Sequence, residues 1–249
     1  MSNKLQQLTY IVDKSQNLFD KATRDLFESY AVKLEENKIW KDDTQREIDS
    51  MMEEYFAECQ YRGEDTYVEP PVTSMDYIEA VSENNGARFF EKAMNEELLA
   101  LHEVQLIYSF KQVEISLKQF LLVQDEGIEL KQVQRWDSLK KVLNQNGVAI
   151  GSLKSYSAIN QLREVNNALK HSHEITDNVK KLNIEHFRDE QYFSPRSLSA
   201  FYHGIVGARK HFISEVAFEV GCSLDIPFDQ LEHFKIEPEE SSEGFDIPF

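Results

Sequence analysis

Apolar positions recur at intervals of three and four along most of the chain. Strand-like alternation bounded by turns is hard to find, so the pattern predicts an almost entirely α-helical protein. Residues 5–37 read as one amphipathic helix, with Leu8, Ile11, Leu18, Phe19, Leu26, Phe27 and Tyr30 spaced for a common face. A second helix is expected over 42–60, carrying Ile48, Met51, Met52, Tyr55 and Phe56. Between Tyr61 and Ser74 stand Gly63 and the pair Pro70-Pro71, which stop a helix. Arg88 to Val123 supports one or two long helices, where the stripe Leu106, Phe110, Val113, Leu117, Phe120 and Leu121 marks a buried face. Further helices are predicted over about 130–146, with Gly147 at its exit, and about 155–172, after a break at Gly151. Ser194-Pro195 reads as N-cap and first position of a last long helix reaching Val220, with Gly221 closing it.

These breaks divide the chain into an N-terminal helical arm and linker (1–74), a helical domain (75–222) and a C-terminal tail (223–249). Composition leaves open whether the arm stands apart or packs on the main domain. From Glu237 to Phe249 there are five acidic residues and no basic ones, the signature of a disordered, solvated tail.

Charge narrows the function classes. The 249 residues include 27 Lys and Arg against 44 Asp and Glu, a formal net charge of −17. Such a chain is repelled by a phosphate backbone, so direct nucleic-acid binding needs a local basic patch or a second protein. Apolar residues make up 41%, enough for a sizeable core. Cys59 and Cys222 are too few for a disulfide framework or a structural zinc site. The N-terminal residues lack the apolar core of a secretion signal and no run of 18 apolar residues occurs, so a soluble, cytoplasmic protein is expected.

The segment 159–171 separates two faces. Ile159, Leu162, Val165 and Leu169 cluster on one side, while Arg163, Asn167 and His171 form a stripe at i, i+4 and i+8 on the other. This pattern resembles the HEPN family, four-helix domains with an Arg, a following polar residue and a His on one late helix. The stretch Tyr108–Lys118, with Glu114, is similar to that family's first long helix, and the likeness spans roughly residues 95–220. It implies a HEPN-like four-helix core. In catalytic members the Arg and His line a homodimer cleft and cut RNA without a metal. By that resemblance His171 would be the general acid or base, Arg163 would hold the phosphate and Asn167 would orient the site. The spacing departs from the family: seven residues separate Arg163 from His171, about 12 Å of helical rise, and Asn166 stands where Arg is expected.

The last residues, Ser241-Ser242-Glu243-Gly244-Phe245-Asp246-Ile247-Pro248-Phe249, resemble the C-terminal tip of bacterial single-stranded DNA-binding protein. A Phe end group enters an apolar pocket while its carboxylate meets a cation beside it. Pro248 restricts the approach, and Asp246, Glu243, Glu240 and Glu239 track a basic rim. The resemblance implies partners among the proteins that bind that tip: an exonuclease, a helicase or another repair or replication factor. Asp225-Ile226-Pro227-Phe228 repeats the tetrapeptide internally and reads as a helix exit whose Phe228 packs on the core.

Other groups carry less. His171-Ser172-His173-Glu174 has no metal-site spacing. The small residues of Gly204-Ile205-Val206-Gly207 are expected to allow close helix packing, and Arg209, Lys210 and His211 with Lys140 and Lys141 to form a basic patch. No metal or cofactor is expected. The leading expectation is an all-α interaction protein whose Asp-Ile-Pro-Phe tail recruits or inhibits repair and replication enzymes, in phage defence or counter-defence. The alternative is a HEPN-type metal-independent ribonuclease, a toxin or abortive-infection effector that acts on RNA as a homodimer. A third class, a DNA mimic whose −17 charge occupies a nucleic-acid channel, requires acidic side chains ordered at phosphate-like spacing on a rigid surface.

Overall fold

The computed structural model describes residues 3–62 and 70–235, the side chains of 16–22 excepted. The described chain is helical: α1 (Asn3–Arg62), α2 (Met75–Gln124), α3 (Trp136–Gln145), α4 (Tyr156–His171), α5 (Asp177–Lys181), α6 (Pro195–Ser223) and α7 (Phe228–Leu231), with short 3-10 turns between several of them. No strand occurs among the described residues; Glu174 and Tyr192 form an isolated bridge. No described helix is long and apolar enough to cross a membrane.

The first correction concerns α1. The sequence predicts two helices with an interruption after residue 37, whereas one 60-residue helix runs through it. The polar run Asn37-Lys38 and Lys41-Asp42-Asp43 stays helical because its inward members find partners on α2. Asn37 Nδ2 donates to the Ala87 carbonyl at 3.0 Å, and Lys41 meets Glu91 at 2.7 Å. The second correction is the start of α2, which lies at Met75 rather than Arg88. Ser74 begins it, its hydroxyl accepting from the Tyr77 N–H at 3.2 Å.

Contacts group the described chain into two compact units, residues 3–24 with 99–235 and residues 25–62 with 70–98. This grouping cuts across the sequence divisions at 74 and 222. In the smaller unit the two helices run antiparallel, with cross-contacts from Tyr30–Glu97 to Gln45–Arg88. Buried and half-buried positions repeat every seven residues: Phe27, Leu34, Lys41 and Ile48 with Tyr30, Asn37, Thr44 and Met51 on α1, and Ala80, Ala87 and Met94 with Asn84, Glu91 and Leu98 on α2. A seven-residue repeat keeps one seam of each helix facing its neighbour.

The larger unit holds the main core. Leu8 and Val12 of α1, the predicted α2 stripe, Leu139 and Leu143 of α3, and the apolar face of α4 are buried with Phe212, Ile213 and Val216 of α6. Gly147 adopts φ +85° at the exit of α3, and the Val148 N–H returns to the Leu143 carbonyl at 2.9 Å. Ser194 caps α6 in a reciprocal box with Ser197, with Pro195 first in the helix. Gly221, expected to close α6, instead lies within its last turn. A Cβ there would overlap Leu231, reaching 2.9 Å from its Cδ1, so this glycine permits close approach of α7. Gly204 and Gly207 do not have that role: Gly207 faces open space and Gly204 has only His186 near it.

Candidate functional site

On α4 the four predicted apolar residues Ile159, Leu162, Val165 and Leu169 are buried, which fixes the direction of the opposite stripe. Arg163 is largely covered and its Nη2 donates to Glu164 Oε1 at 2.5 Å. Asn167 and His171 are exposed. The guanidinium is therefore engaged by its own neighbour, while His171 ends the helix in solvent. Asn166 is buried, and its Nδ2 lies 3.4 Å from Asn167 Oδ1. Among the described residues its Oδ1 has no hydrogen-bond partner. A neutral amide thus sits in the core-facing row of this helix, where a charged guanidinium would cost several kcal/mol.

Just beyond α4, His173 Nδ1 donates to Glu103 Oε1 at 2.7 Å, the carboxylate being mostly covered and the imidazole mostly exposed. This tie between the α4 exit and α2 was not legible from 171–174, because its acidic partner is 70 residues away in the chain. Glu103 follows His102, which is buried and hydrogen-bonded to Gln105 at 3.3 Å. Burial holds the His102 imidazole down to a pKa of about 4, against the hydrogen bond with Gln105 and helped by the charge of His203. His203 Nδ1 in turn donates to the Ser199 carbonyl at 2.9 Å.

A second polar cluster joins the start of α4 to α6. Ser155 Oγ lies 2.6 Å from His211 Nδ1, and Glu215 Oε2 accepts from the Ser155 N–H at 3.2 Å and lies 3.6 Å from the same His211 nitrogen. A Ser–His–carboxylate relay needs the hydroxyl and the carboxylate on opposite ring nitrogens. Here both approach Nδ1, so the cluster ties the start of α4 to α6. Beside it Lys140 Nζ donates to Tyr156 Oη at 3.1 Å. Arg209 is buried, with Nη1 donating to Ser109 Oγ at 3.2 Å. The expected basic patch is therefore split: Arg209 faces inward, and His211 and Lys140 serve separate contacts.

The internal tetrapeptide is held by a cation and an aromatic edge. Asp225 turns the chain at φ +55°, and the Ile226 N–H returns to the Gly221 carbonyl at 3.1 Å. Ile226 packs against the core. Phe228 is 53% exposed rather than packed inside. Its ring meets Phe218 edge-on at 5.5 Å, and Lys235 Nζ stands 3.9 Å from its centroid. Glu243, Asp246, Ile247, Pro248 and Phe249 lie outside the described residues.

A shallow groove of about 510 Å³ runs between α1 and α2, lined by Tyr10, Ile11, Leu122 and Val123 with Gln6 and Gln119. It lacks converging titratable groups. Among the described residues, no three His, Cys, Asp or Glu side chains converge as metal ligands. Comparison with protein families, with curated proteins and with solved structures finds no match.

Proposed function

We propose that this protein acts by binding other proteins, through an acidic Asp246-Ile247-Pro248-Phe249 segment that docks on enzymes recognising the tip of bacterial single-stranded DNA-binding protein. Recruitment or inhibition of a repair or replication enzyme is the outcome of such docking. The observation that carries this reading is the setting of Phe228. The same tetrapeptide, placed internally, has its ring beside a lysine ammonium and against a second aromatic ring, the three forming a triangle. A notch that joins apolar surface to a cation is the environment the segment at 246–249 would seek on a client. Burial of Phe249 and part of Ile247 contributes roughly 3–5 kcal/mol before ordering costs, so contact by this segment alone is on the order of micromolar.

In this reading the larger unit is a HEPN-like domain whose late helix no longer carries a catalytic pair. Support comes from the engagement of Arg163 by Glu164 and the buried Asn166. The test is a binding assay between the full chain and a purified exonuclease or helicase that binds the tip peptide. Phe249→Ala should weaken binding at least tenfold while the helical content stays intact, and free tip peptide should compete. Equal affinity of the variant, or indifference to the peptide, would overturn the proposal. Metal-independent RNA cleavage that disappears in both Arg163→Ala and His171→Ala would put the ribonuclease in its place.

A further inference from the structure

The smaller unit has two unlike flanks. On one, Ala31, Gln45, Met52 and Cys59 of α1 and Val81 and Asn95 of α2 are half-buried, while Lys38, Phe56 and Arg88 are exposed. On the other, the equivalent side chains Leu26, Trp40 and Glu47 of α1 and Glu83, Phe90 and Glu97 of α2 are exposed. Trp40 and Phe90 are 41% and 40% exposed, large rings left on an open flank. The Trp40 indole comes within 3.6 Å of where a Gly86 Cβ would stand, which places α2's small residue beneath it. Ala93, about two turns further along α2, keeps the same flank low.

Charge is divided in the same way. The open flank carries Glu36, Asp43, Glu47, Glu54, Asp76, Glu79, Glu83 and Glu97 against Lys33 alone. The other flank carries Glu28, Glu35, Asp42 and Asp49 against Lys38, Arg88 and Lys92. Eight carboxylates to one lysine, around an aromatic centre, differs from a solvated coiled-coil surface, where both signs alternate.

We infer that this open flank is the docking surface for a cationic amphipathic helix of another protein, its apolar stripe on Leu26, Trp40 and Phe90 and its Lys and Arg side chains on the surrounding carboxylates. The incoming helix would complete a three-helix arrangement. Magnitudes favour a helix over a phosphate-binding groove as the partner. The described helical pair holds seventeen acidic and seven basic side chains over about 57 Å, roughly one net charge per 6 Å. Duplex DNA carries one per 1.7 Å or so. The flank is too dilute a polyanion to replace a duplex, and its centre is aromatic. This proposal is independent of the segment at 246–249.

The test uses the full chain and two synthetic helical peptides about three heptads long, one built of Leu and Lys, the other of Leu and Glu. Trp40 is exposed while Trp136, the other tryptophan, is buried, so emission reports the flank. The Leu/Lys peptide should shift Trp40 emission to the blue, saturably, and bind at least tenfold tighter than the Leu/Glu peptide. Labelled-peptide anisotropy should show a tenfold or greater loss in the double variant Trp40→Ala/Phe90→Ala, with circular dichroism unchanged. Glu36→Lys/Glu83→Lys should weaken binding and flatten its salt dependence. Should the double variant lose its helicity, Trp40→Gln alone provides the same reading. Equal binding of both peptides, or aromatic variants that bind like the parent, would overturn the inference. So would concentration-dependent self-association abolished by Trp40→Gln, since a second copy would then cover the face.

Discussion

Asn84 of α2 donates to the Thr44 hydroxyl of α1 at 3.0 Å, so two buried polar side chains meet in the seam of the helical pair. Asn84 also donates to the Lys41 carbonyl at 3.0 Å and accepts from Arg88 Nε at 2.8 Å. Removing the amide strands several partners at once, and an unmade buried hydrogen bond costs about 1–3 kcal/mol. Asn84→Ala should therefore loosen this unit selectively. Hydrogen exchange of the amides from 80 to 90 should quicken, while those of α6 keep their protection.

That seam also explains what the sequence hid. Apolar periodicity reveals a helix whose buried face is apolar, as with α4 and residues 106–121 of α2, where each predicted core position is buried. It fails over 37–44 and 80–87, where the inward row reads Asn37, Lys41, Thr44 against Ala80, Asn84 and Ala87. Those residues look like a solvated break until the cross-chain partners are known. The Ser-Glu-Asn-Asn-Gly run at 82–86 has weak helix propensity, overridden by this pairing. For the candidate site, the spacing of Arg163, Asn167 and His171 was readable. The engagement of Arg163 by Glu164 and the tie between His173 and Glu103 were not, since rotamers and distant partners leave no periodic trace.

His102 gives the protein an acid-sensitive point. Its folded pKa is about 4, below the ordinary value of 6.5, chiefly because burial disfavours the imidazolium. Between those values the unfolded chain binds the extra proton, so stability rises with pH through this window and falls on acidification from 6.5 towards 4. The contribution is at most about 3 kcal/mol. Urea unfolding of the parent and of His102→Gln at several pH values checks this: the variant's stability should change less between pH 6.5 and 4. Parallel curves would show that another group carries the dependence.

Gly221 and Leu231 should be coupled. An added methyl at Gly221 meets the Leu231 side chain, which is fully buried. Gly221→Ala is expected to cost about 1–3 kcal/mol by overpacking. In a Leu231→Ala background the same change should cost much less, because the obstructing atoms are gone. A double-mutant cycle read by thermal unfolding measures this, and additive effects would mean that α7 simply shifts aside.

Lys235 separates a cationic hold on Phe228 from simple coverage. Its ammonium lies 3.9 Å from the Phe228 centroid and 5.1 Å from that of Phe218. Lys235→Met keeps an apolar stem and removes the charge. If the cation matters, this variant should lose about 0.5–1 kcal/mol of local stability, and Lys235→Arg should retain it. Exchange of the Gln230 amide, which donates to the Pro227 carbonyl at 3.0 Å, reports the opening of this segment. Faster exchange in Lys235→Met than in Lys235→Arg would establish that the Phe228 ring draws stability from a neighbouring ammonium. Equal rates in the two would reduce the setting of Phe228 to apolar packing and remove the observation on which the docking of 246–249 rests.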